Sequence, residues 1–121
     1  MAYTTVELKN GNVIIELDAI ANIAGITAMS CYGVVGMAYK SKTDEFASLL
    51  RREKLSKGIS VEYKDDKLNI DLHIIVDYGV NINAICDSIK NRVTYQVNLI
   101  TGIEVNNVDI YVDGFRLQDI E

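Results

Sequence analysis

Proline is absent from this chain of 121 residues, and histidine and cysteine are scarce, with one of the first and two of the second. Without proline there is no stiff Pro-rich linker to divide the chain. Cys31 and Cys86 are too few for a disulfide scaffold. Each falls on the apolar stripe of its predicted helix, where a reduced thiol behaves as a small hydrophobe. Both are expected to be buried and inert, in a reducing intracellular compartment. Positive charge is also short: twelve Lys and Arg against seventeen Asp and Glu give a net charge of −5. That balance works against attraction to phosphate backbones and anionic lipid. No apolar run approaches the ~20 residues of a membrane-spanning helix. The start, Met-Ala-Tyr-Thr-Thr-Val-Glu, lacks the basic residues and apolar core of a signal peptide, so secretion by that route is not expected.

Catalytic hardware is missing as well. There is no Walker-type phosphate loop, dinucleotide fingerprint, nucleophile elbow or paired-cysteine metal motif. The lone histidine, His73, would need carboxylate partners to hold a metal. Residues two apart on a strand lie ~6.5–7 Å from one another, too far to converge on one ion without a neighbouring strand. No enzyme, cofactor or metal is therefore expected. The seven tyrosines are dispersed, with Tyr32, Tyr39, Tyr63, Tyr78, Tyr95 and Tyr111 forming no basic–aromatic interleave. They suit interface anchors and half-buried strand positions.

What is present is packing material, 49% hydrophobic with 24% charged, enough for one globular domain burying roughly two-thirds of its unfolded surface. The chain opens on a hairpin, 4–17, in which Val6 and Leu8 precede an Asn10-Gly11 turn and Val13 and Ile15 follow it. A helix over 18–32 is predicted from Ile20, Ile23, Ala24, Thr27 and Cys31, with Asp18 as its cap and Gly33 as its stop. Its alanines make it thin enough to lie close to a sheet. The stretch Val34-Val35-Gly36-Met37-Ala38-Tyr39 reads equally as a short strand or a packed loop. A short surface helix is predicted over 44–54, capped by Thr43, with Asp44 and Glu45 at its positive end and Arg51, Arg52 and Lys54 at its negative end.

The core module, 58–113, is read as strand–turn–strand–helix–strand. Strands over 59–63 and 67–77 flank the polar turn Lys64-Asp65-Asp66, and apolar residues alternate at Leu68, Ile70, Leu72, Ile74 and Val76. The period turns helical at Ile82, Ile85, Cys86, Ile89, Val93, Val97 and Ile100, between the cap Asn81 and the stop Gly102. Strand rhythm returns at Val108, Ile110 and Val112. Phe115 and Leu117 are expected to fold back as a last apolar contact, and 118–121 to fray. The fold class is α+β: a small three-stranded mixed sheet with helices packed on one face, plus the N-terminal hairpin. Gly33, Gly36, Gly58, Gly79 and Gly102 are read as structural glycines, Gly33 ending a helix and Gly36 allowing close backbone approach.

Alternation puts Asp71, His73, Ile75 and Asp77 on one face of the central strand, with Asp109, Tyr111 and Asp113 on a comparable face of the last. Helices on one side leave the other side open. Asp71, His73, Ile75, Asp109 and Tyr111 are the candidate interaction face, an apolar–aromatic centre ringed by carboxylates. Cover by the N-terminal hairpin or another part of the chain is the alternative. The partner is expected to be a protein or a second copy of the chain. Gly33-Val34-Val35-Gly36 also invites comparison with the GxxG loop of K-homology domains. It lacks basic residues at its variable positions, so nucleic acid is not expected.

Three stretches together resemble the alkaline shock protein family of small bacterial envelope stress response proteins. They are Gly11-Asn12-Val13-Ile14-Ile15 leading into Ile20-Ala21-Asn22-Ile23-Ala24; Tyr32-Gly33-Val34-Val35-Gly36-Met37-Ala38; and Lys57-Gly58-Ile59-Ser60-Val61 through Val76-Asp77-Tyr78-Gly79-Val80-Asn81-Ile82, with Val93 and Thr101-Gly102 following. The resemblance implies a non-enzymatic cytoplasmic protein of Gram-positive-type bacteria, linked to cell-envelope homeostasis and reaching the membrane only through a partner. It also implies, as an alternative, an accessory partner of a fatty-acid-kinase-like (dihydroxyacetone-kinase-like) protein. The chain resembles the short form, without charged low-complexity extensions. No catalytic residue is implied.

Overall fold

The computed structural model describes residues 3–38 and 58–117. The short helix expected over 44–54, Tyr39 and the 118–121 tail lie outside the described residues. Strands β1 (Tyr3–Leu8) and β2 (Gly11–Glu16) form the antiparallel hairpin. Leu8 pairs with Gly11, so the two turn residues are Lys9 and Asn10, and the turn lies one residue earlier than the Asn-Gly signal suggests.

Helix α1 (Leu17–Met29) follows directly. Glu16 occupies the cap position with no side-chain hydrogen bond, and Asp18 lies inside the first turn. There it opposes the positive end of the helix instead of capping it. The helix also stops at Ser30, before Gly33, because Ser30 and Cys31 close the turn through bonds to Ile26, Thr27 and Ala28 carbonyls. Ile20, Ala21, Ala24 and Ala28 are buried, so the thin face does lie against the core.

The larger sheet is built around β5 (Lys67–Asp77). β6 (Glu104–Arg116) runs parallel to it along its whole length, from Lys67↔Glu104 to Asp77↔Arg116. β4 (Ile59–Lys64) pairs antiparallel with residues 67–72 of β5, and β3 (Val34–Met37) with residues 74–76. A strand has two edges, and β6 takes one of them throughout. β3 and β4 must therefore share the other, end to end, and among the described residues the sheet is three strands wide though four strands make it. The 34–39 stretch is thus a strand at its start.

The two segments meet at His73. Its carbonyl accepts from the Ala38 amide at 2.8 Å, and its amide donates to the Gly58 carbonyl at 2.9 Å. Gly58 has φ +75°, and a Cβ there would overlap the Ala38 carbonyl oxygen. The Lys64-Asp65-Asp66 turn is tight for another reason. Asp65 and Asp66 both take positive φ, 54° and 63°, as two-residue hairpins with the sheet's own twist require.

Helix α2 (Ile82–Thr101) joins β5 to β6. Asn81 Oδ1 accepts from the Ala84 amide at 3.0 Å, and Gly102 closes the helix in the left-handed conformation at φ 76°. Ile85, Ile89, Val93 and Val97 are buried, while Ile82 is 37% and Ile100 58% exposed. The stripe therefore packs through its middle and overhangs at both ends. Leu68, Ile70, Leu72, Ile74 and Val76 complete the core between sheet and helices. β6 continues through Phe115, so the expected fold-back does not form. Phe115 meets Tyr78 edge-on, with centroids 6.4 Å apart, and Leu117 stays exposed.

Candidate functional site

The pleat divides β5 cleanly: its even-numbered residues from Leu68 to Val76 are buried, and its odd-numbered ones from Lys67 to Asp77 are half-exposed on the opposite face. Register then carries this division to the neighbours. Asp71 lies beside Asp109, His73 beside Tyr111, and Asp77 beside Arg116. All five residues expected on the interaction face are thus brought together on one side of the sheet, away from the two described helices. The hairpin pairs with no strand of this sheet.

His73 and Tyr111 stack, with ring centroids 4.5 Å apart and planes 7° from parallel. His73 Nδ1 also lies 2.8 Å from Asp113 Oδ2, which fixes the imidazole from a second direction. That contact depends on a bulge. Between Ile74↔Val112 and Ile75↔Gly114 the register shifts by one, leaving Asp113 unpaired and free to turn toward His73. Sequence alternation placed Asp113 on this face without linking it to His73. The following Gly114 was the available signal, since glycine inside a strand often marks a bulge.

Ile75 is the apolar centre. Its cross-strand neighbours are Gly36 on β3 and Gly114 on β6, so no side chain stands beside it on either strand. On the β4 side lies an acidic depression of about 490 Å³, lined by Ser60, Glu62, Asn69, Asp71, Asn107 and Asp109. Glu62 holds Asn69 loosely at 3.4 Å. Asp71 and Asp109 are paired in register, a juxtaposition of like charges that costs stability. Among the described residues neither has an ion-pair partner, whereas Asp77 is paired with Arg116 at 3.0 Å. No group of three or more His, Cys, Asp or Glu suited to a metal ion occurs among the described residues.

The close approach expected of Gly36 falls to Gly33 instead, and neither glycine ends the helix. Gly33, at φ +91°, makes the close approach, since a Cβ there would overlap Ile85 Cδ1. Gly36 has nothing within 4 Å of a built Cβ. Val34, Val35 and Gly36 lie in a paired strand and Val34 is buried, so this stretch does not present the free GxxG loop of a K-homology domain. One of the two cysteines also differs from expectation. Cys31 is buried, but Cys86 is only half-buried, beside the overhanging start of the α2 stripe. Among the described residues no helix is long and apolar enough to cross a membrane.

Comparison with known proteins places these features in a family. The model of the alkaline shock protein 23 family, described by a cell envelope-related function, matches residues 5–117. The uncharacterized protein YloU of Bacillus subtilis is 39% identical over 110 residues, covering 90% of this chain and 92% of that one. The uncharacterized protein Spy1614 of Streptococcus pyogenes is 35% identical over 116 residues, with 93% and 96% covered. A stress response regulator gls24 homolog of Streptococcus pyogenes is 26% identical over 109 residues, spanning 90% of this chain and 61% of that protein. No solved structure matches the chain. The chain belongs to the alkaline shock protein 23 family, as the resemblance read from its motifs implies.

Proposed function

We propose that this protein serves cell-envelope homeostasis as a non-enzymatic interaction protein, and that the open sheet face is its docking surface. The observation that carries the reading is Ile75. A β-branched apolar side chain stands half-exposed between two glycines, with a stacked His73–Tyr111 pair on one flank. A rigid apolar and aromatic centre with a polar rim is how protein interfaces are commonly built. The carboxylates of Asp71 and Asp109, which have no ion-pair partner among the described residues, favour a partner that brings basic side chains to that rim. The family description and the stress response regulators among the relatives support the envelope role.

Ile75→Asp tests the surface. In a strain lacking the gene and challenged by envelope stress, the parent chain should restore growth and the variant should not. The purified variant should keep the parent's denaturant midpoint within about 1 kcal/mol, as a half-exposed site allows. Full complementation by the variant would remove the face from the function. Unfolding would mean the face is covered within the chain.

A further inference from the structure

The outer edge of β6, which no other described strand occupies, is a second surface, distinct from the open face, and its sequence matches itself. β6 is 13 residues long, about twice the usual strand. Among the described residues it pairs only with β5, so its outer row of amides and carbonyls is unpaired. An edge of that length is a template for another strand unless it is blocked. The bulges at Asn106 and Asp113 fall near its two ends and leave 107–112 regular.

We infer that two copies of this chain associate by antiparallel pairing of β6 with β6, about a two-fold axis at Ile110. The register argues for this. Val105, Val108, Ile110, Val112 and Phe115 align with the buried residues of β5, and Glu104, Asp109, Tyr111 and Arg116 with its open-face residues. With Ile110 opposite Ile110, Glu104 falls opposite Arg116, Val105 opposite Phe115, Val108 opposite Val112, and Asp109 opposite Tyr111. Each of these pairs keeps both side chains on one face, and opposite charges meet at both ends. A slip of one residue sets open-face side chains against core-facing ones. A slip of two sets Asp109 against itself in one direction and against Asp113 in the other, where like charges repel. One register is therefore singled out. The pairing is isologous, so it closes at two copies. It joins the two open faces into one continuous surface.

Cross-linking and a charge exchange test this together. Directly opposed residues of an antiparallel pair have Cα atoms about 4.5–5.5 Å apart, inside the range for a disulfide. Ile110→Cys, with Cys86→Ser to remove the accessible native thiol, should oxidise to a covalent dimer as the major species. Asp109→Cys in the same background should not, because its copies lie on a diagonal of more than ~7 Å. By light scattering across a concentration series, Glu104→Arg and Arg116→Glu should each weaken the dimer about tenfold, since each change acts twice across the two-fold. The double exchange should restore it. Both residues also pair within the chain, Glu104 with Lys67 at 3.7 Å and Arg116 with Asp77 at 3.0 Å, and the double variant leaves those pairs broken. Rescue therefore reports the contact between copies. A parent chain that stays monomeric throughout, or a dimer that Ile110→Cys does not trap and the double exchange does not rescue, overturns the inference. If Ile110→Cys fails to fold, the surface charge exchange decides alone. Loss of the Ile75→Asp phenotype with an intact β6 dimer would count against the docking face only.

Discussion

Single residues divide into those the fold cannot replace and those it merely uses, and two glycines show the difference. Gly58 combines a positive φ with the junction at which β3 ends, β4 begins and both bond to His73. Gly58→Ala is expected to destabilise by at least about 1–3 kcal/mol, because the strained backbone conformation comes with overlap on a carbonyl that belongs to the sheet. Gly36→Ala has open space around it and should stay within about 0.5 kcal/mol of the parent. Paired denaturant melts check both. The cysteines divide in the same way. Cys31 is buried, with its Sγ 3.4 Å from the Thr27 carbonyl, and should react with a thiol reagent only after unfolding. Cys86 is half-buried, and burial pushes its thiol pKa up. It should label in the native protein, more slowly than a free thiol, with a rate that rises at more alkaline pH than an ordinary cysteine shows. The sign for stability follows from the same shift. A folded-state value above the unfolded one favours the protonated folded form, so this contribution is full below the unfolded value and is lost as pH rises through the folded one. Rapid labelling of Cys31 in the native state would contradict the packing around α1.

At the scale of elements, legibility followed how local the determining physics is. α2 was readable because its stripe, Asn81 cap and Gly102 stop lie on one continuous segment, and each is where the sequence places it. Its overhanging ends were not readable, because how far a sheet extends under a helix is set by other strands. Ile89→Ala should therefore cost about 2–5 kcal/mol, as loss of a fully buried aliphatic does. Ile100→Ala, at a position 58% exposed, should change stability by no more than about 0.5 kcal/mol. Equal effects in a urea titration would mean the helix faces the sheet through a different stripe. β3 stayed ambiguous for a related reason: four residues carry too little period, and its pairing with β5 is long-range. The face holding Asp71, His73, Ile75, Asp109 and Tyr111 was legible from alternation and parallel register together. The His73–Asp113 contact was not, because a bulge interrupts the very rhythm that alternation relies on.

For the whole molecule, the arrangement of strands predicts an order of opening. β5 is bonded on both edges, by β6 on one and by β4 and β3 on the other, and its inner side chains are at most 1% exposed. Its amides can exchange only when the sheet comes apart. Among the described residues the β1–β2 hairpin pairs with itself alone, and Ile14, Val13 and Leu8 are exposed on it. A two-stranded hairpin is marginal by itself, and this one is held to the rest by partly buried contacts such as Val6 and Ile15. Native-state hydrogen exchange should therefore show hairpin amides opening with a free energy well below the global value, and β5 amides from Leu68 to Val76 exchanging only through global unfolding. Ile89→Ala should lower the protection of β5 by the full loss in global stability while leaving the hairpin unchanged, since α2 touches the unit that β5 reports. If the hairpin and β5 lost protection equally, the two sheets would be one cooperative unit, and the division into a self-paired hairpin and a β5-centred sheet would not describe how the molecule holds together.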